Sequence, residues 1–135
     1  MFLFHLSRDE RRAFVGLAKH LIAADAREQP DEIGVLRLME RELGIPVAEL
    51  PATPPRADVL ATFSSKASRV AVLMELLTLA YADGEPHPEE MELLKTVAAG
   101  LQIPELRLLE MEDWIVRQLS LNAEANAFLR DEEQA

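Results

Sequence analysis

The sequence contains no cysteine. Disulfide bridges, zinc sites built on thiolates and cysteine nucleophiles are therefore all excluded. The absence also fits a reducing compartment such as the cytoplasm. The fold must be held together by packing, and 135 residues are enough for one domain with a sizeable core.

Positive charge is scarce as well. Fourteen Lys and Arg residues stand against 24 Asp and Glu residues, so the formal net charge is −10. Basic pairs such as Arg11–Arg12 are flanked by acids. Because nucleic-acid binding needs a basic face, we expect no nucleic-acid partner, and an anionic membrane would repel the chain.

Long apolar runs are missing. The uncharged run Leu76–Ala82 is far shorter than the roughly 20 residues that cross a bilayer. The apolar start, residues 1–6, leads straight into a charged segment and lacks the parts of a secretory signal. We expect a strap that packs on the core, no direct membrane insertion and a cytoplasmic protein.

Motifs that carry catalysis are absent too. The five glycines form no phosphate-binding loop, and neither H-E-x-x-H nor G-x-S-x-G occurs. The histidines are scattered through the chain, at His5, His20 and His87. Ser64, Ser65 and Ser68 are better explained as helix caps or surface residues. We therefore expect a protein that is not an enzyme.

Helical periodicity is what the sequence does have. Phe14, Leu17 and Leu21 share one helical face, and Ser7 with Glu10 forms an S-x-x-E capping box that predicts a helix over 7–25. Further helices are predicted from Pro30 to Leu43, Arg56 to Phe63, Ser65 to Ala82, Pro88 to Gly100, from Pro104 onward, and from Asn122 to Phe128. No strand pattern occurs. The predicted fold is all-α, one compact domain over 1–135 with about six to seven helices.

The position of each part follows from its composition. The helix over 65–82 is apolar around much of its circumference and is expected in the middle of the bundle. Four prolines make residues 46–56 a connection. Trp114, Val116 and Leu119 are expected to face the core, and residues 130–135 to form a frayed acidic tail.

The chain also repeats itself. One constant offset, without a gap, pairs Leu21 with Leu79, Asp25 with Asp83, Pro30 with Pro88, Glu32 with Glu90, and Ile45–Pro46 with Ile103–Pro104. This predicts two helix–acidic turn–helix units, about 14–46 and 72–104, related by a pseudo-twofold.

The second unit carries a family signature. Its sequence LAYADGEPHPEEMELLKTVAAGLQIP, residues 79–104, resembles that of the tellurite-resistance TerB-like family: an apolar helix ending in Ala-Asp-Gly, a short turn, an acidic residue in the next helix and a Leu-x-Ile stop. The first unit resembles the degenerate copy that such proteins carry. The resemblance spans about Phe14 to Leu119.

This resemblance implies a compact helical bundle that takes part in stress responses, including tellurite resistance, and no well-defined reaction. Related domains are attached to membrane-bound DnaJ-like proteins. The positions it implies are Asp83, Gly84 and Glu90 in the second unit and Asp25 and Glu32 in the first. Ala26 stands where the first turn's glycine would fall, so the first turn departs from the pattern.

The acidic turn after Ala82 has a structural explanation. A carboxylate at a helix C-terminus is disfavoured by the helix dipole, but Asp83 can accept backbone N–H groups in an Asx-turn. Gly84 would supply the unusual backbone angles, and Pro88 and Glu90 suit the first turn of the next helix.

Two functional explanations stand beside it. In the first, the turn binds a divalent cation such as calcium or magnesium. In the second, its acidic patch binds a basic surface of a partner. The candidate metal ligands are Asp83, Glu85, His87 and Glu90, with Asp25 and Glu32 in the first turn. An EF-hand is excluded because Pro88 and Leu94 occupy the positions of its glycine and glutamate. A twofold arrangement would also bring Asp25 close to Asp83.

We therefore expect a non-enzymatic binding or scaffold module of a stress-response system, whose acidic turns bind a divalent cation or a basic protein partner. One alternative is a metal-assisted hydrolase that uses the turn from Asp83 to Glu90. Another is a purely structural protein that forms homo-oligomers through the helix over 65–82 or through the apolar start.

Overall fold

A computed structural model describes residues 2–24, 30–82 and 84–134, with the backbone alone at 30–33, 35 and 131–134. Within these ranges the chain forms a helical bundle without strands, as predicted. Six α-helices are present: α1 Arg8–Ala24, α2 Pro30–Leu43, α3 Ala57–Leu60, α4 Lys66–Ala80, α5 Pro88–Gly100 and α6 Glu105–Gln134. Two 3-10 turns, Leu3–His5 and Val47–Glu49, complete the described elements.

Helix α1 begins at the predicted capping box. The Ser7 backbone N–H donates to Glu10 Oε1 at 2.9 Å, and the Glu10 N–H donates to Ser7 Oγ at 3.3 Å. The buried Glu10 carboxylate also accepts the Ser64 N–H at 3.3 Å. One glutamate therefore joins the start of α1 to the segment before α4.

Helix α4 lies in the middle of the bundle, as its apolar circumference predicts. Ser65 caps it by accepting the Ser68 N–H at 3.0 Å. Its buried residues include Val72, Leu73 and Leu76. It packs against α1, α5, α6 and the first 3-10 turn, so its apolar surface is used inside the bundle.

The apolar start is the core-packing strap that the sequence predicts. Leu3 and Leu6 are buried. The Phe2 ring lies edge-on to Trp114, with the ring centroids 5.9 Å apart, and the Phe2 N–H donates to the Glu75 carboxylate of α4. The strap thus spans from α4 to α6.

The proline-rich connection is packed rather than loose. The Thr53 N–H donates to the Gly16 carbonyl at 2.9 Å, and Lys19 Nζ donates to the Leu50 carbonyl at 2.6 Å. A Cβ on Gly16 would lie 2.6 Å from Thr53 Oγ1, so only glycine allows this close approach. The helix that follows is only one turn long and ends earlier than predicted.

Helix α6 corrects the prediction of two C-terminal helices. It runs unbroken over Glu105–Gln134 and includes most of the predicted tail. Asn122 does not start a new helix; its side chain accepts the Gln118 amide at 3.3 Å within α6. No proline or glycine interrupts this segment, and one asparagine inside a helix costs only about 0.7 kcal/mol.

The buried side of α6 also differs in part from the expectation. Val116 is exposed, whereas Leu108, Met111 and Ile115 are buried. Trp114 and Leu119 are half-buried against the core, as expected. The spacing 108, 111, 115 is the ordinary core-facing pattern of a helix.

The predicted pseudo-twofold stays a prediction. In the described residues α1 packs against α4 and α5, while α2 packs mainly on the two 3-10 turns. No helix in this part of the chain combines the length and the apolar character that crossing a membrane requires.

Candidate functional site

The acidic turn contains most of the metal ligands predicted from the sequence. Asp83 and Asp25 lie outside the described residues, and so does the side chain of Glu32. The predictions that rest on these three residues, including the approach of Asp25 to Asp83, therefore concern positions that the structure does not describe. Glu85, His87 and Glu90 are described.

The backbone of this turn has the predicted structural features. Gly84 has φ +116° and its N–H donates to the Tyr81 carbonyl at 3.2 Å. His87 precedes α5, Pro88 is its first residue, and the His87 N–H donates to Glu90 Oε1 at 3.1 Å. Glu90 is only 4% exposed. This carboxylate therefore caps α5 from inside the protein.

The described residues include no group of three or more His, Asp or Glu side chains placed to hold a metal ion. Glu85 and His87 are exposed, and Glu90 is buried and used in the cap. A metal site that includes Asp83 remains a prediction.

Negative charge nevertheless gathers at this end of the bundle. The pKa of Tyr81 is raised, first by burial and then by the nearby carboxylates of Glu112 and Glu85. Burial also raises the pKa of Glu112, while Lys95 partly opposes that rise. Glu112 is half-buried. Its place near Tyr81 results from the packing of α6, which no local sequence signal reveals.

A second surface was missed by the sequence analysis. A groove of about 960 Å³ lies between α4, the start of α6 and the strap. Apolar side chains supply most of its lining: Phe2, Val70, Met74, Leu101, Ile103, Met111 and Trp114. We call it the basic groove, because three cations, Lys66, Arg69 and Arg107, line it against one acid, Glu110.

Two of the three cations, Arg107 and Arg69, are held in different ways. Arg107 pairs with Glu110 at 3.1 Å, where both side chains are exposed. Arg69 donates to the Ser64 carbonyl at 3.3 Å and more weakly to Gln102 Oε1 at 3.5 Å. Arg69 Nε is buried and has no hydrogen-bond partner among the described residues. An anionic oxygen near it would satisfy a donor that is costly to leave unpaired.

The basic groove does have a sequence signal. Lys66, Arg69, Val70 and Met74 follow helical spacing along one face of α4, so that face changes from basic to apolar within two turns. Arg107, Met111 and Trp114 make a similar stripe on α6. Only tertiary packing brings the two stripes together, and so the sequence alone does not predict a groove.

The central part of the chain matches a known protein family. Residues 56–113 match the family model of tellurite resistance protein TerB. This segment is TerB-like. The predicted resemblance is thereby confirmed for the second helical unit, while the first unit lies outside the match. No curated protein and no solved structure matches the chain.

The TerB-like segment contains both candidate surfaces. It includes the turn between α4 and α5, and it supplies all three cations of the basic groove. Phe2 and Trp114, which complete the apolar lining, lie outside it. The basic groove is therefore formed partly by the TerB-like segment and partly by the strap and by α6 beyond residue 113.

Proposed function

We propose that the protein is a non-enzymatic binding module of a tellurite-resistance-type stress-response system in the cytoplasm, and that its binding surface is the basic groove. The TerB-like segment supports the assignment to such a system. The observation that carries the binding role is the groove itself, an apolar trough lined by three cations on a chain of net charge −10.

The chemistry of the groove indicates what it binds. Methionine, tryptophan and aliphatic side chains accept apolar anchors, as in grooves that hold an amphipathic helix. Lys66, Arg69 and Arg107 favour carboxylates beside those anchors. We infer that the partner is an acidic amphipathic helix of a protein.

The buried carboxylates support binding over catalysis. Glu10 accepts the N–H groups of Ser7 and Ser64, and Glu90 accepts that of His87. Glu75 accepts the Phe2 N–H. Each of these acids holds backbone in place, which is a structural use of a carboxylate.

The fluorescence of Trp114 tests the proposal, because this is the only tryptophan of the chain and it lines the groove. Titration with a synthetic acidic amphipathic helical peptide should change its emission. Lys66→Glu should weaken peptide binding about tenfold or more, since it reverses a charge at the site. Lys95→Glu makes the same charge change on the exposed face of α5 and is the matched control. Equal weakening by both variants, or no change in emission even with the peptide in large excess, would contradict the proposal.

The acidic turn supports a second candidate function, cation binding. Burial, and then the carboxylates of Glu112 and Glu85, raise the pKa of Tyr81, and a bound cation would offset the charge of these carboxylates. We expect calcium, magnesium, manganese or zinc to raise the unfolding midpoint and to lower the pKa of Tyr81, measured by ultraviolet titration. Asp83→Ala should abolish both effects. An unchanged midpoint with every ion rules this function out.

A further inference from the structure

The second half of α6 extends beyond the bundle. Residues 120–130 are exposed except for the half-buried Ala127. Leu121, Phe128 and Leu129 are large apolar side chains in this stretch, and Phe128 is 71% exposed. An unpacked helix of this length is marginal in water, so its apolar side chains are expected to pack on something.

This projecting half has an amphipathic, acidic sequence. Leu121, Ala125 and Phe128 are spaced by four and then three residues, and Leu129 is adjacent, so they share one face. Residues 121–134 contain four acids, Glu124, Asp131, Glu132 and Glu133, and one base, Arg130. The segment therefore has the chemistry that the basic groove favours.

The groove of the same molecule is out of reach. α6 is one helix of 30 residues, which is about 45 Å long. Its first turns line the groove through Arg107 and Met111, and Phe128 lies roughly 25 Å or more further along the same axis. A continuous helix cannot fold back on itself, so this segment can reach such a groove only in another copy of the chain.

We propose that the projecting half of α6 binds in the basic groove of a second copy of this chain. The inference rests on the proposed function of the groove and identifies its occupant. If two α6 helices lie antiparallel across a twofold axis, the apolar end of each meets the groove at the start of the other. Both grooves are then filled in one closed dimer, with the same residues used on both sides.

Single substitutions in the full chain test this dimer, with mass measured by sedimentation equilibrium. Phe128→Lys should weaken self-association tenfold or more and leave the unfolding midpoint of the monomer unchanged, because the side chain is exposed. Phe4→Lys is the matched control, since Phe4 is 73% exposed and lies in the strap. The control should stay dimeric. A dimer that survives Phe128→Lys, or that dissociates only with Phe4→Lys, overturns the inference.

Cross-linking tests the geometry of the contact. The chain has no cysteine, so mixed single-cysteine chains give an unambiguous result. Phe128→Cys mixed with Glu110→Cys should give a cross-linked heterodimer with a short bismaleimide. Phe4→Cys mixed with Glu110→Cys should give none. Cross-linking of the second mixture in preference to the first contradicts the antiparallel arrangement.

The outcome also separates this inference from the proposed function. If α6 occupies the groove, the acidic peptide must compete with it and should bind Phe128→Lys more tightly than the unchanged chain. A monomeric unchanged chain whose Trp114 emission responds to the peptide refutes the dimer and leaves the groove's function standing. A monomer with no response refutes both.

Discussion

In the part of the chain that the structure describes, three glutamates lie buried near the core, and each accepts a hydrogen bond from a backbone N–H group. Glu10 and Glu90 occupy the third position of their helices, a placement that the sequence predicts from Ser7 and Pro88 alone. Glu75 was not predicted to have a role, because it lies within an apolar helix and the Phe2 N–H that it accepts belongs to the far end of the chain. Local caps are visible in sequence, whereas contacts between distant residues are not.

Glu10 should make stability depend on pH. Burial alone would raise its pKa, but hydrogen bonds from Ser7, Ser68 and Ser64 outweigh burial and lower the pKa below the ordinary 4.5. A carboxyl whose folded pKa is lowered stabilises the protein above pH 4.5, and that stabilisation is lost as the pH falls through the folded pKa.

Glu10→Gln should therefore lower the free energy of unfolding at pH 7 by about 1–2 kcal/mol, through loss of charged hydrogen bonds. The gap to the unchanged chain should close below pH 4.5. Urea unfolding at several pH values measures both effects, with the exposed Glu49→Gln as control. A gap that stays constant with pH would show that the charge of Glu10 has no part in stability.

Helix starts were predicted better than helix lengths. The starts of α1, α2, α4 and α5 lie within a residue of the predicted positions because serine caps and prolines act locally. The length of α6 was missed because Asn122 suits both a cap and a helix interior, and its neighbours decide which. The basic groove was missed for a related reason, since its two stripes lie on separate helices.

The cap of α4 gives a matched pair of variants. Ser65 accepts the Ser68 N–H through its side chain, whereas the neighbouring Ser64 takes part through its backbone N–H and carbonyl. Ser65→Ala should lower the free energy of unfolding by about 1 kcal/mol. Ser64→Ala should change it much less. If thermal or urea unfolding showed the same loss of unfolding free energy in both variants, the cap would not stabilise the central helix.

At the scale of the whole molecule, charge is divided between two surfaces. The sequence singles out the acidic turn, and Glu85 and Glu112 do lie near Tyr81 there. The net charge of the chain is −10. The net charge does not reveal the three cations of the basic groove, because a summed charge carries no information about where the charges lie. Attraction between that groove and an acidic helix should weaken as salt is added.

The basic groove, not the acidic turn, is the surface proposed to bind the partner. Amide chemical-shift mapping of the isotope-labelled Phe128→Lys chain, titrated with the acidic amphipathic peptide, tests it directly. We predict the largest shifts at the Val70 and Gln102 amides and at the Trp114 indole, all in the groove lining. Shifts confined to Gly84–Glu90, or no shifts at all, would contradict it.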